Sequence, residues 1–219
     1  MFIFCRLSRF GMLLNPHRIR NRYDALGRKF RRMMDPLPGL EAAFATLHSR
    51  GPGRFLDIGP GPGRHLQYYR DENHYVAIDL SQVALRQLKR LRRHREMDNV
   101  AIVQGDVQAL PIEGIFDGAI MAYTLTALER PQAALQQLAP LIRPGGHIVI
   151  LDALPDRRTL LRTAANIYTR LVNLADTSTP IESIVKGTLL DVTAKEPLEH
   201  PWITLILPPA RVYTLEPQP

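Results

Sequence analysis

Short apolar runs alternate along this chain with stretches whose apolar residues recur every three or four positions. The first pattern is that of a strand and the second that of an amphipathic helix. Over residues 40–50, Leu40, Ala43, Phe44 and Leu47 share one helical face, and Gly51 and Pro52 stop the helix. The run Arg54-Phe55-Leu56-Asp57-Ile58 follows, then a glycine loop, then a helix predicted to start near Arg64 and to carry Leu66, Tyr68 and Tyr69. Tyr75–Ile78 is a second buried strand ending at Asp79, and Ser81 is placed to cap a helix bearing Val83, Ala84, Leu85, Leu88 and Leu91. Val100–Val103 and Phe116–Ala122 are further strands; Pro131 opens a helix that buries Ala134, Leu135, Leu138 and Leu141. Pro144-Gly145-Gly146 turns the chain into a fifth strand, His147–Leu151.

These runs are continuous rather than alternating, which means burial on both faces, as in a parallel sheet covered by helices. The fold class is therefore α/β, a doubly wound, Rossmann-like arrangement, and ligands of such folds sit at the C-terminal ends of the strands. The later part of the chain reads differently. Residues 159–175 form an amphipathic helix through Leu160, Leu161, Ala164, Ile167, Tyr168, Leu171 and Leu174. Thr188–Thr193 and Trp202–Leu207 are two strand candidates, and the turn-rich link Glu196–Pro201 between them suggests an antiparallel pair.

Three strand ends carry candidate chemistry. The first is Asp57-Ile58-Gly59-Pro60-Gly61-Pro62-Gly63. Dinucleotide-binding loops read G-x-G-x-x-G. The sixth position is Arg64 counted from Gly59 and Leu66 counted from Gly61, so neither frame completes that pattern. What remains is a loop without side chains at alternate positions, suited to close approach of backbone to a ligand. The second is Asp79, twenty residues after Gly59, a carboxylate placed to accept both hydroxyls of a ribose, with Leu80 beside it. The third is Gly105-Asp106-Val107, where Asp106 could accept an exocyclic amine of adenine and the Val107 N–H could reach a ring nitrogen.

The ordered set Leu56–Gly63, Val76–Ser81, Gln104–Pro111, Phe116–Ile120 and Leu141–Gly146, spread over residues 50–152, resembles the class I methyltransferases that use S-adenosylmethionine (SAM). Within them it is similar to the broad group that includes the ubiquinone/menaquinone-biosynthesis C-methyltransferases (methyltransferase type 11). The resemblance implies a mostly parallel seven-stranded sheet with an antiparallel last strand, and SAM as cofactor. It also implies SAM contacts from Asp57, Gly59, Gly61, Gly63, Asp79, Leu80, Asp106 and Val107, and a lid helix over the cofactor that carries Tyr23. After the fourth strand this chain has Met121-Ala122-Tyr123-Thr124-Leu125, without the Asn/Asp-Pro-Pro-Tyr/Phe motif of the adenine- and glutamine-N-methylating families. Tyr123 is the candidate residue for positioning a substrate near the transferred methyl group. His65 reads as a surface helix residue and His74 as a structural one.

Composition narrows the setting. With 219 residues, 45% of them hydrophobic and 22% charged, the chain can build a packed core. The division expected is an N-terminal basic and apolar extension with the lid helix over residues 1–38, and a SAM-binding domain over 39–219. One cysteine, Cys5, permits no internal disulfide or Cys-rich zinc site, argues against the arsenite-methylating branch and fits a reducing, cytoplasmic setting. No metal ligand set is read. The net charge of +7 is uneven: residues 1–23 hold Arg6, Arg9, Arg18, Arg20 and Arg22 and no acid, and Arg86, Lys89, Arg90, Arg92, Arg93 and Arg95 form a second block. Two basic surfaces imply an anionic partner. Bulky apolar residues among the arginines of residues 1–14 suit a membrane surface, so the acceptor is expected to be a small, apolar or lipid-like molecule. An RNA- or protein-modifying methyltransferase and a non-catalytic SAM-binding subunit are the alternatives, nucleic acid being the less favoured partner because no RNA-binding module is appended.

Overall fold

The computed structural model describes residues 39–152, 179–198 and 210–218. The extension 1–38 with Tyr23, the helix at 159–175 and the strand Trp202–Leu207 lie outside the described residues. Seven strands form one sheet: β1 (Arg54–Ile58), β2 (His74–Asp79), β3 (Val100–Gln104), β4 (Phe116–Ala122), β5 (Ile142–Asp152), β6 (Leu190–Pro197) and β7 (Arg211–Pro217). Their order is β3-β2-β1-β4-β5-β7-β6. The first five are parallel, and β7 runs antiparallel to both β5 and β6. The order reverses between β1 and β4, which opens a crevice at their C-terminal ends.

Strand residues alternate between two cores. Phe55, Tyr75, Ala77, Ile120, Ala122, Val149 and Leu151 pack with α1 (Leu40–Leu47) and α2 (Gln82–His94). Leu56, Ile58, Ile78, Ala119, Met121, Ile148 and Ile150 pack with α3 (Pro131–Leu138) and the short α4 (Ile181–Val185). Burial on both sides is what the continuous apolar runs require. The predicted caps hold: Ser81 Oγ accepts from the Ala84 N–H at 3.1 Å, and Pro131 occupies the first turn of α3. Pro144-Gly145-Gly146 forms a bulge, since Phe116 pairs with Ile142 but Gly118 with His147.

Several expectations are corrected. The helix after the glycine loop is a 3-10 segment, Arg64–Tyr68, because Tyr69 turns to extended backbone, stacks on Tyr75 (centroids 3.9 Å apart, planes at 11°) and donates to Asp57. His65 is buried, not on the surface. The strand expected at Thr188–Thr193 is β6, Leu190–Pro197, so Glu196 and Pro197 are ladder residues and not a link. Among the described residues its antiparallel partner is Arg211–Pro217, where Val212, Tyr213 and Leu215 fill the two cores beside β5. His74 is the exposed first residue of β2.

The α1 side also buries a hydrogen-bonded polar cluster. The Tyr75 hydroxyl accepts from the Arg70 N–H (3.0 Å) and Asn73 Nδ2 (3.1 Å), which leaves its own proton for His48 Nε2 at 2.9 Å. Burial, helped by the charge of Arg70, lowers the His48 pKa to about 4, so His48 is a neutral acceptor in the folded chain. The unfolded chain takes up a proton at this residue near its ordinary pKa of 6.5. Stability from this site is thus complete above pH 6.5 and is lost as the pH falls toward 4. Chemical denaturation across that range is expected to show wild type losing stability relative to His48→Gln, which keeps an acceptor and does not titrate. A constant difference between the two would refute this account.

Candidate active site

Apart from Tyr23, which lies outside the described residues, the site residues singled out from sequence lie at the C-terminal ends of β1 to β4, and the backbone laces those ends together. Gly59 N–H donates to Ile78 O (2.8 Å), and Gly105 N–H donates to Asp79 O (3.1 Å). Asp79 is the hub: its Oδ2 accepts from Gly61 N–H at 2.9 Å and its Oδ1 from Ser81 N–H at 2.8 Å. One carboxylate therefore fixes both the glycine loop and the entry to α2. Burial outweighs these two hydrogen bonds and raises the Asp79 pKa to about 6.

The loop's glycines do different jobs. Gly59 has φ of 72°, and a Cβ there would lie 2.3 Å from Thr124 Oγ1. Gly61 has φ of 62°, and a Cβ there would meet nothing within 4 Å. Gly59 is thus bare so that β1 and β4 can close on each other, whereas Gly61 faces open space at the crevice, which suits a ligand lying against the backbone. Pro60 and Pro62 carry no N–H, so every loop donor between Gly59 and Gly63 belongs to a glycine.

Asp57 lies beneath the loop. It is fully buried, with Oδ2 accepting from His65 Nδ1 (2.7 Å) and the Tyr69 hydroxyl (2.6 Å), while Oδ1 has no hydrogen-bond partner among the described residues. Burial and the adjacent Asp57 push the Tyr69 pKa well up, so the phenol keeps the proton it donates. At the β3 end, Asp106 Oδ1 accepts from the Gln108 N–H (2.9 Å), and the Val107 side chain is buried in the α3-side core. Leu80 is half-buried beside Asp79.

The β4 end is strained. Tyr123 has φ of 53°, a left-handed conformation that costs a non-glycine residue about 1–3 kcal/mol. Four hydrogen bonds hold the segment in place. Tyr123 N–H donates to Leu151 O (2.7 Å), Thr124 Oγ1 donates to Ile58 O (3.2 Å), and buried Asp152 accepts from both Thr126 N–H (3.0 Å) and Thr126 Oγ1 (2.8 Å). Burial and the charge of Asp152 raise the Tyr123 pKa, so its side chain is a neutral phenol rather than a base. Asp152, Thr124 and Tyr69 are site residues that sequence reasoning did not single out, and His65 was read as a surface helix residue. Asp152 left a trace, an acid closing an apolar run as Asp79 does. Thr124 and Tyr69 left none.

Residues 56–150 match the family model described as a methyltransferase domain. The chain carries a class I SAM-dependent methyltransferase domain. It is 34% identical over 128 residues to the malonyl-[acyl-carrier protein] O-methyltransferase of Enterobacter lignolyticus, covering 56% of this chain and 49% of that protein. It is 30% identical over 161 residues to the ubiquinone/menaquinone biosynthesis C-methyltransferase of Syntrophotalea carbinolica, covering 71% and 66%. The N-methyltransferase NodS of Bradyrhizobium japonicum, solved with S-adenosyl-l-homocysteine, shares the fold with a TM-score of 0.69 at 16% identity, over 93% of this chain and 98% of that one. The chain spans between 34% and 49% of the length of the first curated relatives it matches. SAM is the cofactor of this methyltransferase domain.

The glycine assignments separate by experiment. Gly59→Ala is expected to destabilise the domain by more than the ~1–2 kcal/mol of left-handed strain, because Thr124 must also move. Thr124→Ala should recover the steric part in a double-mutant cycle. Gly61→Ala incurs only the strain, and isothermal calorimetry should find its folded form weakened for SAM. Equal stability losses at both positions, with no coupling to Thr124, would contradict this division.

Proposed function

We propose that this chain is an active methyltransferase that passes the methyl group of SAM to a small, apolar or lipid-like acceptor such as a phospholipid, a quinone or a natural product. The left-handed Tyr123 carries the reading. A strained residue persists only where its surroundings over-determine it, and such residues cluster at working sites. Bonds to β1 and β5 determine this one, at the mouth of the crevice that holds Asp79 and Gly61.

SAM supplies a methyl group already activated on a sulfonium sulfur, so the protein's work is alignment and exclusion of water. Gly61 gives the methionyl part room against the backbone, and the unpartnered Asp57 Oδ1 is an acceptor for its ammonium group. Asp79 accepts the ribose hydroxyls on its remaining lone pairs; Leu80, Asp106 and Val107 flank the adenine. The neutral Tyr123 ring presents its π face or its hydroxyl to the acceptor beside the sulfonium. The quinone-modifying relative supports an apolar acceptor. The N-methyltransferase and O-methyltransferase among the similar proteins leave the acceptor atom open.

With methyl-labelled SAM and fractionated cell extract, label is expected in the lipid-extractable fraction; label in RNA or protein instead would overturn the acceptor class. SAM binding with no transfer to any fraction would make the chain a binding subunit. The ribose assignment has its own test. Because the free Asp79 titrates at about 6, SAM affinity should hold above that pH and fall below it, approaching tenfold per pH unit. Asp79→Asn should bind weakly at all pH values with a flat profile; a wild-type profile equally flat from pH 8 to 5 would remove Asp79 from the ribose site.

A further inference from the structure

The solvent face of α2 is not used by the site described above. Arg86, Lys89, Arg90 and Arg93 are all exposed and follow i, i+3, i+4, i+7 spacing, which places them in one stripe. Leu85 and Leu88, on the opposite face, are buried against the sheet. The helix contains no acid, and the stripe side chains make no ion pair among the described residues. Arg92 is different: half-buried, it donates to Met97 O (2.8 Å) and pairs with Asp98 (3.6 Å). Within the stripe, 86/89, 86/90, 89/93 and 90/93 are like-charged neighbours, each of which destabilises the helix. A purely solvated face gains nothing from that arrangement. A face that meets a polyanion does.

We infer that the Arg86–Lys89–Arg90–Arg93 stripe of α2 is a docking surface for an anionic phospholipid bilayer. The choice of lipid over nucleic acid rests on the lipid-like acceptor proposed above and on two further observations. No aromatic side chain stands in the stripe on which a base could stack. The chain also has a second acid-free basic stretch, residues 1–23, interleaved with Phe2, Ile3, Phe4, Phe10 and Leu13, a composition suited to a lipid interface and not to a phosphate backbone. The stripe begins just over one turn past Ser81, whose N–H is bonded to Asp79, and runs from there back along the outside of the sheet toward the start of β3. Arg86 is therefore the stripe residue nearest the crevice end of the sheet.

The test uses the full chain in co-sedimentation at low salt, with vesicles of phosphatidylcholine alone and of phosphatidylcholine mixed with phosphatidylglycerol. Binding is expected only to the mixed vesicles and should weaken as salt is raised. Each neutralised cation should cost about fivefold in affinity, so R86Q/K89Q/R90Q/R93Q should lose roughly several hundred-fold. The same variant should bind SAM as wild type does and melt at a higher temperature, since the repulsive pairs are gone. Unchanged vesicle binding by the variant, or no binding by wild type, overturns the surface. Loss of binding to duplex RNA, with lipid binding intact, transfers the stripe to nucleic acid. Vesicle binding is read without any methyl transfer, so failure here leaves the acceptor proposal standing, and failure of the labelling assay leaves this result standing.

Discussion

The buried carboxyl group of Asp57 is the constraint from which the rest of the site follows. A polar group withdrawn from water to this extent is tolerated only if donors replace the water. Two donors do so, His65 and Tyr69, and both lie just past the glycine loop in the chain. Meeting that demand draws the exit of the loop down onto the α1 side of the sheet. It halts the 3-10 segment at Tyr68, seats Tyr69 on Tyr75, and brings Phe44 edge-on to His65 and flat against Tyr68. The backbone path from Ile58 to Tyr69 is thereby pinned from below, and the loop above it needs no side chains of its own.

From above, the same loop is held by Asp79. The two carboxylates act at different depths: Asp57 on a wholly buried hydrogen-bonded platform, Asp79 at the crevice with both oxygens already engaged by backbone N–H groups. Burial of Asp79 raises its pKa and costs stability at neutral pH. A ligand donating hydroxyl protons to this carboxylate, as proposed above for the ribose, would offset that cost.

The β4 end of the crevice is built on strain rather than on burial of charge alone. Thr124 ties the β4 end to β1, and Asp152 ties the following turn to β5, so Tyr123 is left-handed because its neighbours on both sides are fixed.

The sequence by itself determined the parallel sheet through β5, its two-sided burial and where its strands end. Continuous apolar runs bounded by turn residues are local signals. Asp57, Asp79 and Asp106 were legible as residues of strand ends for the same reason: Asp57 falls near the end of β1, Asp79 closes β2 and Asp106 follows β3. Only the tertiary structure decided that Gly59 is bare for the sake of Thr124 while Gly61 is bare toward open space. It alone showed that His65 is buried, that β6 pairs with Arg211–Pro217, and that Tyr123 is strained. Each of these depends on what comes near a residue from a distant part of the chain, and periodicity along the chain carries no information about that.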